Sequence, residues 1–365
     1  MFILFKHMFR TQLGCLMEII SNTVFAGAFA IACLTIVGLR PIAAIIGLVD
    51  KPNTRKQHLG HVPLIGGIAI YFTLLIASQL FLPKSQLINL YLISCSFMVL
   101  IGGLDDFYDV SAKVRLVAQL LIASILVLGA GHALYDMGDI LGFGNVHLGV
   151  FSLPFTLLAV ATAINAFNMT DGIDGLVGVL GLVTFSSLCV LFYWANNVSL
   201  FTISAIFVAA LSAFLLFNVG GLRRIFGKIF MGDAGSMMIG LSVIWLLVLG
   251  TQNGEASFRP VTALWIIAIP LMDMFAVMHR RVKKGKSPLS ADRDHLHHIF
   301  LRFGFSSNSA LLFIGVLSVA MAGFGLAGEH YDIHEGLMML VFVVIFIAYD
   351  YSFIHIWKFS RWLRK

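Results

Sequence analysis

The sequence predicts an all-α, polytopic membrane fold with about eleven transmembrane helices, and three observations predict it. Of 365 residues, 59% are hydrophobic and only 12% charged, whereas soluble domains carry roughly 25% charged residues. Unbroken apolar runs of about 20 residues, the length that crosses ~30 Å of hydrocarbon, recur along the chain. Basic residues also gather on one side of these runs: of 24 Lys and Arg, all but Lys6, Arg10, Lys84 and Arg259 fall in alternate loops and at the C-terminus. Such residues are retained on the cytoplasmic side. The N-terminus is therefore expected in the periplasm and the C-terminus in the cytoplasm.

In chain order, the apolar runs centre on 23–45, 65–82, 87–104, 116–134, 150–167, 176–194, 199–217, 235–250, 261–278, 310–327 and 336–354. Residues 1–16 read as an N-terminal extension, with Met17 an alternative start, and not as a signal peptide, because no small-residue cleavage site follows a distinct apolar stretch. Residues 17–365 read as a single membrane-embedded domain whose longest loop runs from Arg280 to Ser309, which leaves no length for a soluble domain. Cys15, Cys33, Cys95 and Cys189 show no CxxC spacing. They read as small core hydrophobes, neither a zinc site nor a disulfide framework.

Carboxylates are the informative residues in so apolar a chain, since an acid at membrane depth is costly and is usually kept for function. On the expected cytoplasmic side lie Asp50, Asp105, Asp106, Asp109, Asp171, Asp174, Asp233, Asp273, Asp292 and Asp294. The first loop, Asp50 to His58, carries Lys56 among other bases and leads to Gly66-Gly67. It reads equally as a phosphate contact and as a positive-inside anchor. The second, Gly102 to Asp109, has adjacent Asp105 and Asp106, with Lys113 and Arg115 following. Adjacent carboxylates repel, and that pairing persists most readily around a shared cation or proton. The DDxxD spacing puts Asp105 and Asp109 on one face if the helix continues; the alternative is an acid pair capping the next helix.

The third segment runs from Asn165 to Leu176 and places Asn165, Asn168, Asp171 and Asp174 at every third position. These are oxygen ligands suited to Mg2+ or Mn2+, or to sugar hydroxyls, although a polar reverse turn would have the same pattern. Fourth, Phe230 to Ser236 opens an apolar run with Asp233 near the expected helix N-terminus, where the dipole favours an anion. Last, Arg280 to Lys286 and Arg293 accompany His295, His297 and His298. With no cysteine nearby, this reads less as zinc than as a cationic clamp for a diphosphate; the basic run alone could also hug anionic lipid.

With these motifs in this order, the chain from about Met17 onward closely resembles the polyprenyl-phosphate N-acetylhexosamine-1-phosphate transferases. The resemblance rests on Asp105-Asp106, Asn165 to Leu176, Phe230 to Ser236 and Ser290 to His298. Within the family, Asp292 to His298 and Pro260 to Asp273 look like the branch that starts O-antigen or enterobacterial common antigen synthesis. The resemblance implies UDP-GlcNAc and undecaprenyl phosphate as substrates, contact with membrane lipid, no nucleic acid, a possible homodimer, and a site on the cytoplasmic face of a bacterial inner membrane. It further implies Asp105 and Asp106 as catalytic groups acting on the lipid phosphate, and Asp233 with Asn168 as ligands of Mg2+ (or Mn2+). Asp171, Asp174, Phe230, Arg293, His295, His297 and His298 would bind the UDP-sugar. From their own placement in the loops, Asn165 joins the substrate-binding candidates, and Lys56, Lys113 and Arg115 are candidate phosphate contacts. Two rivals remain. A sister enzyme using UDP-MurNAc-pentapeptide differs in the histidine loop, and a cation-coupled transporter would need paired half-helices near the midplane.

Overall fold

We describe the protein from a computed structural model, which describes the backbone of residues 2–50, 61–252, 256–288 and 295–363, and the side chains of 22–50, 61–252, 256–288 and 295–353. Lys56 and Arg293 lie outside these residues. The chain is helical almost throughout. Helix α1 (Phe2–Ile46) is followed by a two-residue antiparallel ladder, β1 (Val49–Asp50) with β2 (Val62–Pro63). Then come α2 (Gly66–Phe81), α3 (Gln86–Tyr108), α4 (Ala112–Ser124, extended by a π turn to Gly129), α5 (Ser152–Met169), α6 (Leu176–Trp194) and α7 (Val198–Asn218). The short α8 (Leu222–Phe226) precedes α9 (Gly232–Thr251), α10 (Pro260–Ile266), α11 (Ala268–Lys283), α12 (Leu296–Arg302), α13 (Ser307–His330) and α14 (Glu335–Leu363).

Among the described residues, 9 helices are long and apolar enough to cross a membrane, or 10 if the bent pair α10 and α11 counts as one. The protein is a multi-pass membrane protein. Two of the expected runs depart from simple spans, each for a local reason. Helix α2 has 16 residues, about 24 Å of rise against ~30 Å of hydrocarbon. It stops because Leu82, at φ −111 and ψ 147, precedes Pro83, which disfavours helical geometry in the residue before it. The run 261–278 breaks at Ile267 with a bend of 78°. Pro270 has no N–H for the carbonyl of Ile266 four residues back, and that carbonyl instead faces the Thr184 hydroxyl, 3.4 Å away.

Helix α9 is the axis of the bundle. It is apolar all round, as a helix without a solvent face must be, and every residue in it except Asp233 is buried. Its neighbours approach to backbone contact through glycines, the small-residue packing that membrane helices favour. A methyl on Gly240 would stand 2.6 Å from Ile164 Cα in α5. Methyls on Gly67 of α2 and Gly102 of α3 would run into the backbone of Gly235 and Ala234. The Gly66 and Gly67 amides also donate to the Phe230 and Met231 carbonyls, both at 2.9 Å, so the start of α2 and the start of α9 are tied together.

The glycine contacts generate a matched test. Gly102→Ala forces a methyl into the α9 backbone and is expected to lower stability by about 1–3 kcal/mol, the range for overpacking. At Gly103 nothing lies within 4 Å of an added methyl, so Gly103→Ala should be neutral or stabilising by up to ~1 kcal/mol through helix propensity. Thermal unfolding in detergent compares the two. Equal effects would contradict the packing.

Candidate active site

Helix α3 delivers two carboxylates to the α9 N-terminus and then ends. Asp109 takes a left-handed conformation (φ 52) and its N–H returns to the Asp105 carbonyl at 2.9 Å. The expected DDxxD helical face therefore does not form, because the helix stops at Tyr108 before Asp109 can align with Asp105. Asp105 is 5% exposed. Its Oδ1 accepts from the Val110 N–H at 2.8 Å, and its Oδ2 forms an ion pair with the Arg115 guanidinium of α4. Arg115 is thus engaged by a carboxylate, while Lys113, two residues earlier, is exposed.

Asp106 turns toward the neighbouring helix. Its carboxylate accepts from the Asp233 N–H at 2.8 Å and the Ala234 N–H at 3.3 Å, so it caps α9 from another element. The first N–H groups of a helix have no partner within it, and α9 has no side-chain cap of its own. Asp233 in turn accepts from Asn168 Nδ2 at 2.6 Å, and Asn168 also donates to Ser236 Oγ at 3.1 Å. Asp105, Asp106 and Asp233 are close enough to act on one another electrostatically. Three carboxylates face one guanidinium, leaving an excess of negative charge in a desolvated place.

That donor set, carboxylates with an amide beside them, suits a hard divalent cation. Among the described residues no three His, Cys, Asp or Glu side chains stand at metal-ligand spacing. Mg2+ does not require such a cage: it is usually held by one or two carboxylates, with water and substrate phosphates completing the shell.

The segment after α5 splits its polar residues instead of aligning them. Asn165, still inside α5, donates to Gln119 Oε1 of α4 and to the Ala161 carbonyl, both at 2.7 Å; Gln119 is itself buried and donates to Met237 Sδ at 3.6 Å. Asn168 faces Asp233. Asp171 is exposed at the turn. Asp174 pairs with Lys228 at 2.6 Å, and that ammonium lies 4.5 Å from the centre of the Phe230 ring. The stripe divides because α5 ends at Met169, so the period-three spacing spans a helix and a turn.

The histidine loop closes over this turn. A methyl on Gly172 would strike the His297 ring, so the absence of a side chain there lets the two segments meet. His295 Nδ1 lies 3.0 Å from Asp273 Oδ2, and the Leu296 N–H donates to Asp273 Oδ1 at 2.9 Å. The rings of His295 and His297 are nearly parallel at 5.7 Å, with His298 4.2 Å from His297. Neither ring nitrogen of the buried His297 has a hydrogen-bond partner. Asp273 and Lys228 are the residues that sequence reasoning missed as site members. Asp273 sits inside an apolar run, which is a signal on its own; Lys228 was indistinguishable from other bases at span ends.

A helical membrane bundle with carboxylates at a buried helix N-terminus and a histidine loop across a Gly-Asp turn defines a class: residues 88–251 match the glycosyl transferase family 4 domain. The chain belongs to that family and is a sugar-1-phosphate transferase, a phosphotransferase enzyme. It is 40% identical over 355 residues to the undecaprenyl-phosphate alpha-N-acetylglucosaminyl 1-phosphate transferase of Yersinia pestis, covering 96% of this chain and 95% of that one. The proteins of the same name from Salmonella typhi and Haemophilus influenzae are 41% and 42% identical, over 97% and 93% of this chain and 95% of each relative.

The His297 environment sets a pH dependence. Burial, reinforced by the neighbouring His298, pushes its imidazole down from 6.5 to about 3, so the ring is neutral in the folded protein. Below 6.5 the unfolded chain takes up a proton that the folded chain refuses; stability is therefore complete above that pH and is lost as pH falls toward about 3. On lowering the pH to about 5 this group should remove on the order of 2 kcal/mol. His297→Gln should lack that component when unfolding is followed at both pH values, and a parallel decline in the two proteins would contradict it.

Proposed function

We propose that the protein transfers GlcNAc-1-phosphate from UDP-GlcNAc to undecaprenyl phosphate, giving undecaprenyl-diphosphate-GlcNAc and UMP. We place this reaction at the cytoplasmic face of a bacterial inner membrane, as the first membrane step of O-antigen or enterobacterial common antigen synthesis. The observation that carries the reading is the Asn168 to Asp174 turn, which touches the carboxylates through Asn168–Asp233 and the histidine loop through Gly172–His297. One short segment thus joins the histidine loop to a carboxylate cluster, and the relatives' names supply the chemistry that such a junction serves. Among the described residues, counting α2 and the bent pair as crossings gives an odd number of spans, in keeping with the one-sided bases.

Both substrates are anionic, so their encounter requires positive charge. Mg2+, or Mn2+, held by Asp233 with Asn168 beside it would screen the diphosphate from the incoming lipid phosphate. Phe230, fixed by its backbone bonds to Pro63 and Gly66, offers its ring to uracil, with Lys228 and Asp174 bordering it. His295, His297, His298 and Arg293 hold sugar and diphosphate; Asp171 lines the turn, and Asn165 braces α5 against Gln119 of α4. Asp105 and Asp106 organise the acceptor end. Their oxygens already accept N–H bonds, and a carboxylate so engaged is a poor nucleophile. This supports one displacement, in which a lipid phosphate oxygen bonds to the sugar-bearing phosphorus and the bond to UMP breaks.

An apolar cavity of about 270 Å³ lies between α5, α9 and the α10–α11 bend, lined by Leu158, Ala163, Leu247, Ala263, Leu271 and Phe275 among others. Its α9 wall begins at Ile244, roughly 16 Å along the helix from Asp233, a distance suited to the tail of a lipid whose phosphate sits at the carboxylates.

Purified protein with undecaprenyl phosphate, Mg2+ and a panel of UDP-sugars tests the proposal by UMP release. UDP-GlcNAc should be used and UDP-MurNAc-pentapeptide not, EDTA should abolish turnover, and Asp105→Asn should lower it roughly 10²–10⁴-fold. Stoichiometric UMP release without polyprenyl phosphate would overturn the single displacement, and full activity in EDTA the metal.

A further inference from the structure

We propose that Tyr349, on the last long helix and far in sequence from every motif above, is a positioning residue for the histidine loop and acts through Asp273. Asp273 is 2% exposed and joins three elements at one carboxylate. Oδ1 accepts from the Leu296 N–H at 2.9 Å and from the Tyr349 hydroxyl at 3.2 Å, while Oδ2 faces His295 Nδ1 at 3.0 Å. Helix α12 has no side-chain cap from its own N-cap residue His295, so this borrowed carboxylate sets the direction in which α12 leaves α11. His297, two residues after His295, is carried with it onto Gly172.

Tyr349 is itself held. Its ring stacks on Phe353 at 4.2 Å, and the Arg280 guanidinium lies 5.2 Å from the Phe353 ring. One residue further, Asp350 Oδ2 lies 2.7 Å from His279 Nδ1. The hydroxyl is therefore presented from a surface clamped to α11, and it fixes the rotation of the Asp273 carboxylate. A carboxylate fixed this way engages the imidazole's Nδ1, the arrangement by which a partner acid orients a ligand-binding histidine.

The inference rests on the reading that this loop holds the UDP-sugar, and the test separates the two. Tyr349→Phe removes one hydroxyl and keeps the stacked ring. It should raise the KM for UDP-GlcNAc about five- to tenfold, the effect of a lost hydrogen bond to a charged group partly compensated, with the KM for undecaprenyl phosphate and the unfolding midpoint unchanged. His295→Gln should raise the same KM, and the two changes combined should give less than the product of their separate effects, since both act through Asp273. Multiplicative effects, equal rises in both KM values, or a lower midpoint with KM unaltered would overturn the positioning role while leaving the loop assignment intact. An unchanged KM in His295→Gln would instead remove the loop from the UDP-sugar site, and the positioning role with it.

Discussion

The capping of α9 by Asp106 is the interaction on which the rest of the site depends. A fully buried helix begins with N–H groups that neither its own residues nor water can satisfy, and leaving one unpaired costs about 1–3 kcal/mol. The chain meets this with a carboxylate from α3, which reaches the Asp233 and Ala234 amides because Gly102, four residues earlier, lets α3 touch the α9 backbone. The helix dipole favours that anion. The same contact brings Asp105 and Asp233 into one group, so packing, capping and the charge cluster are a single arrangement.

From this cluster the site extends outward by contacts between segments distant in sequence. Asn168 connects Asp233 to the turn after α5, Gly172 admits the His297 ring, and Asp273 anchors the histidine loop to α11. The Asn168 and Asp273 links are short and polar, and the Gly172 link is a close packing contact, all at the mouth of an otherwise apolar bundle. Low dielectric makes such bonds stronger and makes their loss more damaging, which gives a membrane enzyme a rigid site from small polar side chains.

Much of this was legible in the sequence. The apolar runs foretold the helices, and Gly232-Asp233-Ala234-Gly235-Ser236 before an apolar run marked a helix N-terminus with an acid in its first turn. Pro83 and Pro270 stand in the sequence beside the two runs that depart from simple spans, but hydropathy alone passed over them and both runs were expected to cross unbroken. The role of Asp106 was not legible, because its partners lie 127 and 128 residues away and nothing local distinguishes a carboxylate facing a cation from one capping a remote helix. Asp109 misled for the opposite reason: spacing assumed a continuous helix, and a left-handed residue ended it. Asn165 fell into the polar stripe by periodicity, yet the helix carries it toward Gln119.

Amide hydrogen exchange across residues 230–238, with Asp106→Asn and Asp106→Ala beside the wild type in detergent, reads the capping of α9 by Asp106. The amide oxygen of Asn can still accept a bond from the α9 start, whereas Ala cannot. Because the Asp233 and Ala234 amides bond to different oxygens of Asp106, Asp106→Asn is expected to protect one of the two and expose the other in part, whereas Asp106→Ala should lose local protection at both, with a fall in stability of about 1–3 kcal/mol, the cost of an unpaired buried amide. Unchanged protection in Asp106→Ala would contradict that capping.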